Sequence, residues 1–188
     1  MQARDIPNLI TFGRLLLVPP IVFCLLTGRY GWALVLFVSA GVSDALDGFL
    51  AKHFDWTSRL GGMLDPIADK LLLVSCYLAL AWQELIPVWL AALVIGRDAI
   101  ILAGAISYHV LIERLEAAPS VISKLNTLSQ LLLVVAVLFN YGAQLLPDGW
   151  LQALIYSVLA TTLLSGADYI WTWGWRAWNK KRGSGRFP

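Results

Sequence analysis

Asp44-Ala45-Leu46-Asp47-Gly48-Phe49-Leu50-Ala51-Lys52, followed by Gly61-Gly62-Met63-Leu64-Asp65-Pro66-Ile67-Ala68-Asp69, sets four aspartates inside a chain that is otherwise strongly apolar. On helices, Asp44 and Asp47 lie three residues apart and Asp65 and Asp69 four apart, so each pair projects from one helical face. Two helix ends can then present four carboxylates to one point. Carboxylates in or beside a bilayer are costly to desolvate and repel one another, so their gathering implies a compensating cation or a water-filled chamber. Hard divalent ions such as Mg²⁺ or Mn²⁺ take oxygen ligands and leave room for substrate phosphates. Four ionised carboxylates balance two such ions, and a two-metal site about 3.5–4 Å across activates a nucleophile and steadies a phosphate leaving group.

The rest of the chain sets the context. Hydrophobic residues make up 59% of the 188 and charged ones only 14%, with a mean hydropathy of +0.70, which excludes an ordinary soluble domain. A membrane-spanning helix needs roughly 20 apolar residues. About six such stretches are expected: Asn8 to Thr27, Trp32 to Ala51, Ile67 to Trp82, Val88 to Tyr108, Val121 to Asn140 and Leu151 to Ile170. Charges and turn formers separate them at Gly28 to Gly31, His53 to Gly62, Gln83-Glu84, Glu113 to Pro119 and Pro147 to Gly149. The sequence therefore predicts an all-α integral membrane protein of about six transmembrane helices. Residues 1–178 form a single transmembrane catalytic domain in this reading, and 179–188 a basic cytoplasmic tail.

Basic residues accumulate in cytoplasmic loops. With the N-terminus inside, that side holds Arg4, Lys52, Arg59, Arg114, Arg176, Lys180, Lys181, Arg182 and Arg186, and the other side Arg29. Both termini and the acidic segment are thus expected at the cytoplasmic face of a bacterial-type inner membrane. The start of the chain lacks a small-residue cleavage site, so the first apolar run is read as retained. Trp171, Trp173, Trp175 and Trp178 read as interfacial anchors. Cys24 and Cys76 fall inside spans, where a small buried apolar role is expected. The net charge of +2 suits anionic lipid headgroups better than nucleic acid. His53, His109 and Asp168 near helix ends are read as solvated, capping or interfacial. Ser129 and Gln130 either join helices or line a pocket.

Small residues Gly48, Ala51, Gly61 and Gly62 beside the acids allow close approach of a ligand to backbone. Lys52 and Arg59 supply charge suited to a phosphate. Each has a plainer reading: glycine pairs make turns, Asp65 before Pro66 caps a helix, and Lys52 snorkels to the interface.

The segment resembles the signature of the CDP-alcohol phosphatidyltransferase family, which reads Asp, two residues, Asp-Gly, two residues, Ala-Arg, eight or nine residues, Gly, three residues, Asp, three residues, Asp. Lys52 stands where the family has arginine, which keeps the charge and loses the bidentate fork. The resemblance implies the family fold, and transfer of a phosphatidyl group from CDP-diacylglycerol to an alcohol with release of CMP. By the same resemblance Asp44, Asp47, Asp65 and Asp69 hold two Mg²⁺ or Mn²⁺ ions, Asp69 is the general base, and Gly48, Ala51, Lys52 and Gly61 contact the CDP moiety. It also implies a homodimer.

Asn8, Thr11 and Arg14, in a stretch that looks like the family's opening segment, are spaced to share a helical face. Arg14 at its depth needs a phosphate, a carboxylate or a snorkel. Ile86-Pro87-Val88, Gly96-Arg97-Asp98 and Ile122-Ser123-Lys124-Leu125-Asn126-Thr127 look most like the CMP-forming cardiolipin synthases, whose acceptor is phosphatidylglycerol. The rival within the family is phosphatidylglycerophosphate synthase, which uses sn-glycerol 3-phosphate. Arg97 and Lys124 are the cations expected to hold the acceptor's phosphate, with an Arg97–Asp98 ion pair tying helices as the alternative. A cation transporter, the remote alternative, would be expected to show repeated halves, and an intramembrane prenyltransferase two separate acidic motifs.

Overall fold

The computed structural model describes residues 6–53, 61–111, 120–143, 146–147 and 149–183, with side chains described at 10–44, 67–104, 120–143, 146–147, 149–169 and 171. The described residues form α-helices and turns, with no strand among them. The helices are α1 (Ile6–Leu26), α2 (Tyr30–His53), α3 (Gly61–Trp82), α4 (Val88–Leu111), α5 (Val121–Ala143) and α6 (Trp150–Gly183).

The elements follow the expected spans, with two informative differences. Helix α3 begins at Gly61, ahead of the apolar run that starts at Ile67. Asp65 therefore lies inside the helix, which corrects its reading as an N-cap. Helix α6 runs 34 residues to Gly183, past Ile170 and through the start of the basic segment. Both have one cause: helical hydrogen bonding needs compatible residues and not apolar ones, so a hydropathy boundary is not a helix boundary.

Short turns fold the chain back on itself. Gly28, at φ 71°, ends α1 in a Schellman motif, with Arg29 N donating to Cys24 O at 2.8 Å and Gly28 N to Leu25 O at 3.1 Å. Glu84, at φ 57°, makes the same motif at the end of α3, where Leu85 N donates to Leu80 O at 2.9 Å. The adjoining Gln83 Nε2 donates to the carbonyls of Leu25 at 3.2 Å and Leu26 at 2.9 Å, satisfying the end of α1.

Helix α1 packs on α2 and α3, α5 on α6 and α2, and α4 on α6 and α3. The apolar centre joins Ile21 and Leu25 of α1, Phe37 of α2, Leu73, Tyr77 and Leu80 of α3, Leu90 and Val94 of α4, and Leu133 to Leu138 of α5. Cys24 and Cys76 are free thiols, Cys76 within this centre. At the α4–α6 contact, the Tyr169 hydroxyl donates to Ile101 O at 3.2 Å, and a Cβ at Gly104 would run into that phenol. Gly104→Val is expected to cost about 1–3 kcal/mol through overpacking. A thermal unfolding curve should show a midpoint lower by about 5 °C.

Many large apolar side chains face outward, and several polar groups are buried in the otherwise apolar interior. Phe12, Leu16, Phe23, Val38, Leu78, Ile100, Leu128 and Leu163 are exposed, while Thr11, Arg14, Arg97, Asp98, Asn126, Gln130, Thr162 and Ser165 are buried. An apolar outer surface of this kind, with the charged groups turned inward and paired, suits a protein whose surrounding solvent is lipid. Two described stretches, Val121–Ala143 and Trp150–Tyr169, are long and apolar enough to cross a membrane by that measure alone.

Candidate active site

Asp44 in the second half of α2 and Asp69 in the first half of α3 meet at Arg14 of α1. The Arg14 side chain is 1% exposed; its Nη2 lies 2.7 Å from Asp44 Oδ1 and its Nη1 2.6 Å from Asp69 Oδ1. One guanidinium thus bridges the outermost two of the four aspartates, which stay 43% and 47% exposed. Their accessible oxygens can meet a polar ligand while the arginine stays sealed among the helices. Thr11, one turn before Arg14, is buried beside it on the same face of α1. The carboxylate alternative for Arg14 is the geometry observed.

Asn8, Asp47, Gly48, Ala51, Lys52, Gly61 and Asp65 have described helical backbone, and their side chains lie outside the described residues. The helices are continuous through them, so Asp47 shares a face of α2 with Asp44, and Asp65 a face of α3 with Asp69. Arg59 and the end of the basic tail also lie outside the described residues, as do the side chains of His53 and His109. Among the described residues, no group of three acidic, histidine or cysteine side chains gathers. The donors that do converge are carboxylate oxygens, which is the set a hard divalent cation selects, so Asp44 and Asp69 fit Mg²⁺ or Mn²⁺.

Next to Asp69, Lys70 opens a second charged cluster. Its Nζ pairs with Asp98 Oδ2 on α4, while Arg97 Nη1 donates to Asp98 Oδ1 at 2.7 Å. Arg97 Nη2 reaches Ser123 Oγ of α5 at 2.9 Å and also donates to Ser165 Oγ of α6. Two cations therefore share one carboxylate, leaving the trio with a net positive charge beside the acidic pair. The Arg97–Asp98 ion pair expected as an alternative is present, and it ties α4 to α5 and α6 through the two serines. Lys124 is exposed on the first turn of α5, one residue past Ser123.

Further along α5, Asn126 Oδ1 accepts hydrogen bonds from Thr161 Oγ1 at 3.1 Å and Thr162 Oγ1 at 2.9 Å. Ser129 donates to Leu125 O within its own helix. Gln130 is fully buried, and the Tyr77 hydroxyl reaches its main-chain carbonyl at 3.4 Å. Lys70, Ser165 and the threonine pair were not singled out from the sequence. Lys70 had a visible signal, a cation next to the last acid at the head of an apolar run; the hydroxyls did not.

The profile of the CDP-alcohol phosphatidyltransferase family matches residues 4–164, and the chain belongs to that family. Members of the family are generally dependent on a divalent metal. The chain is 35% identical over 184 residues to the cardiolipin synthase (CMP-forming) of Rattus norvegicus, covering 87% of this chain and 60% of that protein. It is 36% identical over 180 residues to a cardiolipin synthase (CMP-forming) / mitochondrial hydrolase fusion protein of Schizosaccharomyces pombe, covering 87% and 30%. A chloroplastic CDP-diacylglycerol--glycerol-3-phosphate 3-phosphatidyltransferase of Oryza sativa subsp. japonica is 31% identical over 184 residues, covering 88% and 56%. The chain spans between 30% and 60% of the length of these curated relatives.

Proposed function

We propose that the chain is a phosphatidyltransferase that uses CDP-diacylglycerol and phosphatidylglycerol to make cardiolipin, releasing CMP. The observation that carries this reading is the acidic pair Asp44 and Asp69 held on Arg14, together with Lys70, the residue after Asp69, joined to Asp98 and Arg97 in a net-positive trio. A metal-binding set of oxygens beside a cationic surface suits a diphosphate donor and a phosphate-bearing acceptor. The relatives named as cardiolipin synthases favour phosphatidylglycerol as that acceptor. The rice relative keeps glycerol 3-phosphate as the second reading.

In this proposal Asp44, Asp47, Asp65 and Asp69 hold two divalent ions, which when bound supply Lewis-acid charge to the donor's diphosphate. Gly48, Ala51, Lys52 and Gly61 lie against the CDP moiety, with Asn8 and Thr11 close by. Arg97 and Lys124, joined by Lys70, hold the acceptor's phosphate. Asp69 takes the proton from the acceptor hydroxyl as its oxygen bonds to the phosphorus next to diacylglycerol. The bond from that phosphorus to the bridging oxygen breaks, and CMP departs with the electron pair.

All six helices cross the bilayer in this reading, with both termini and the acids at the cytoplasmic side, and residues 1–178 act as one catalytic unit. Exposed Trp32, Trp82, Trp89 and Trp150 lie at the opposite end of the bundle, where an interfacial belt would stand. At a rise of 1.5 Å per residue, Asp44 and Asp69 lie about 18–20 Å from that belt, within a hydrocarbon core of about 30 Å. A homodimer is the assembly the family resemblance implies.

The test incubates purified protein with CDP-diacylglycerol and Mg²⁺ or Mn²⁺, offers phosphatidylglycerol, glycerol 3-phosphate, inositol phosphate or serine, and follows CMP. Release with phosphatidylglycerol alone, lost on chelation, is the expected result. Release with glycerol 3-phosphate alone would move the assignment to the second reading, and release that survives chelation would overturn the proposal.

A further inference from the structure

Arg14 does more than occupy the acidic site. Its guanidinium is sealed from solvent at 1% exposure and ends on carboxylates from two other helices, at 2.6 and 2.7 Å. A buried arginine is tolerated only when it is paired, and two ionised carboxylates drawn together repel unless a cation stands between them. Each side of the bridge is therefore a condition for the other.

We infer that Arg14 is the site's own counter-cation, a positioning residue that assembles Asp44 and Asp69 before a divalent ion arrives and then competes with that ion for their charge. The inference rests on the proposed metal role of the aspartates and adds a direction to it. Arg14 holds α1, α2 and α3 in register at the site end, so the metal enters a preformed pair of ligands. The cost is affinity, because a fixed positive charge within a few ångströms opposes a second cation at low local dielectric. Charge, and not the fork geometry alone, sets the opposition, so lysine at this position should keep most of it.

The experiment titrates Mn²⁺ alone into the purified full chain and follows free Mn²⁺ by electron paramagnetic resonance. Arg14→Gln is expected to bind Mn²⁺ about tenfold more tightly than wild type, and Arg14→Lys within about threefold of it. Without metal, the unfolding midpoint of Arg14→Gln should fall by about 10 °C, and saturating Mn²⁺ should close most of that gap. Equal or weaker Mn²⁺ binding by Arg14→Gln overturns the inference, as does equal tightening in Arg14→Lys. If Arg14→Gln folds only when prepared in Mn²⁺, the metal has replaced the arginine as expected; failure to fold there as well overturns the inference. A wild-type protein that binds no Mn²⁺ would instead sink the metal role of the aspartates.

Discussion

Asp69→Asn is expected to lower CMP release by about 10²–10⁴-fold, the range that loss of a general base covers. The substitution nearly preserves shape and keeps an oxygen able to accept from Arg14, which reaches Asp69 Oδ1 at 2.6 Å. It removes the basic oxygen and one negative charge. CDP-diacylglycerol binding should be largely spared, because the other acids and the small residues of the motif stay in place. Turnover measured beside equilibrium binding of the lipid nucleotide separates the two effects, and near-normal turnover would refute Asp69 as the base.

Asp98→Ala should be the most damaging change outside the acidic motif. Asp98 is the shared partner of Lys70 and Arg97, and these differ in their escape routes: the Lys70 side chain is 44% exposed and the Arg97 side chain 7%. Water can solvate the lysine once its partner is gone, so that pair adds little to stability. Arg97 is largely shielded from water and would be left with two serine hydroxyls, so the cost falls on it, at about 3–5 kcal/mol for a broken buried pair. The unfolding midpoint should drop by about 10 °C. The double variant Arg97→Leu, Asp98→Leu should recover part of that stability, since apolar replacement of a buried pair is often neutral. It should still show a raised KM for the acceptor, which distinguishes an anion-holding role of Arg97 from a purely structural one.

Much of this arrangement was legible in the sequence because charges stand out in an apolar chain. Arg14, Asp44 and Asp69 were visible as groups that need partners at membrane depth, and the breaks at Gly28 and Glu84 fall where the chain turns. Which partners they would take was not legible, because Arg14 meets Asp69 across 55 residues of sequence. Periodicity fixes the face of a helix but not the neighbour opposite that face. The same limit hid Ser165, whose hydroxyl looks like any small polar residue until α6 is laid against Arg97. Hydropathy does not mark the helix ends where polar residues continue a helix, as at Gly61 and beyond Ile170.

Gln83 reaches α1 from the far end of α3, while Asp69 reaches the same helix from near α3's start. Two fastenings so far apart act like pegs through a pair of rods. A slip of one turn, about 5.4 Å, would shear both at once. The alignment of the buried guanidinium with its carboxylates is thus guarded in part by an amide toward the opposite end of the bundle.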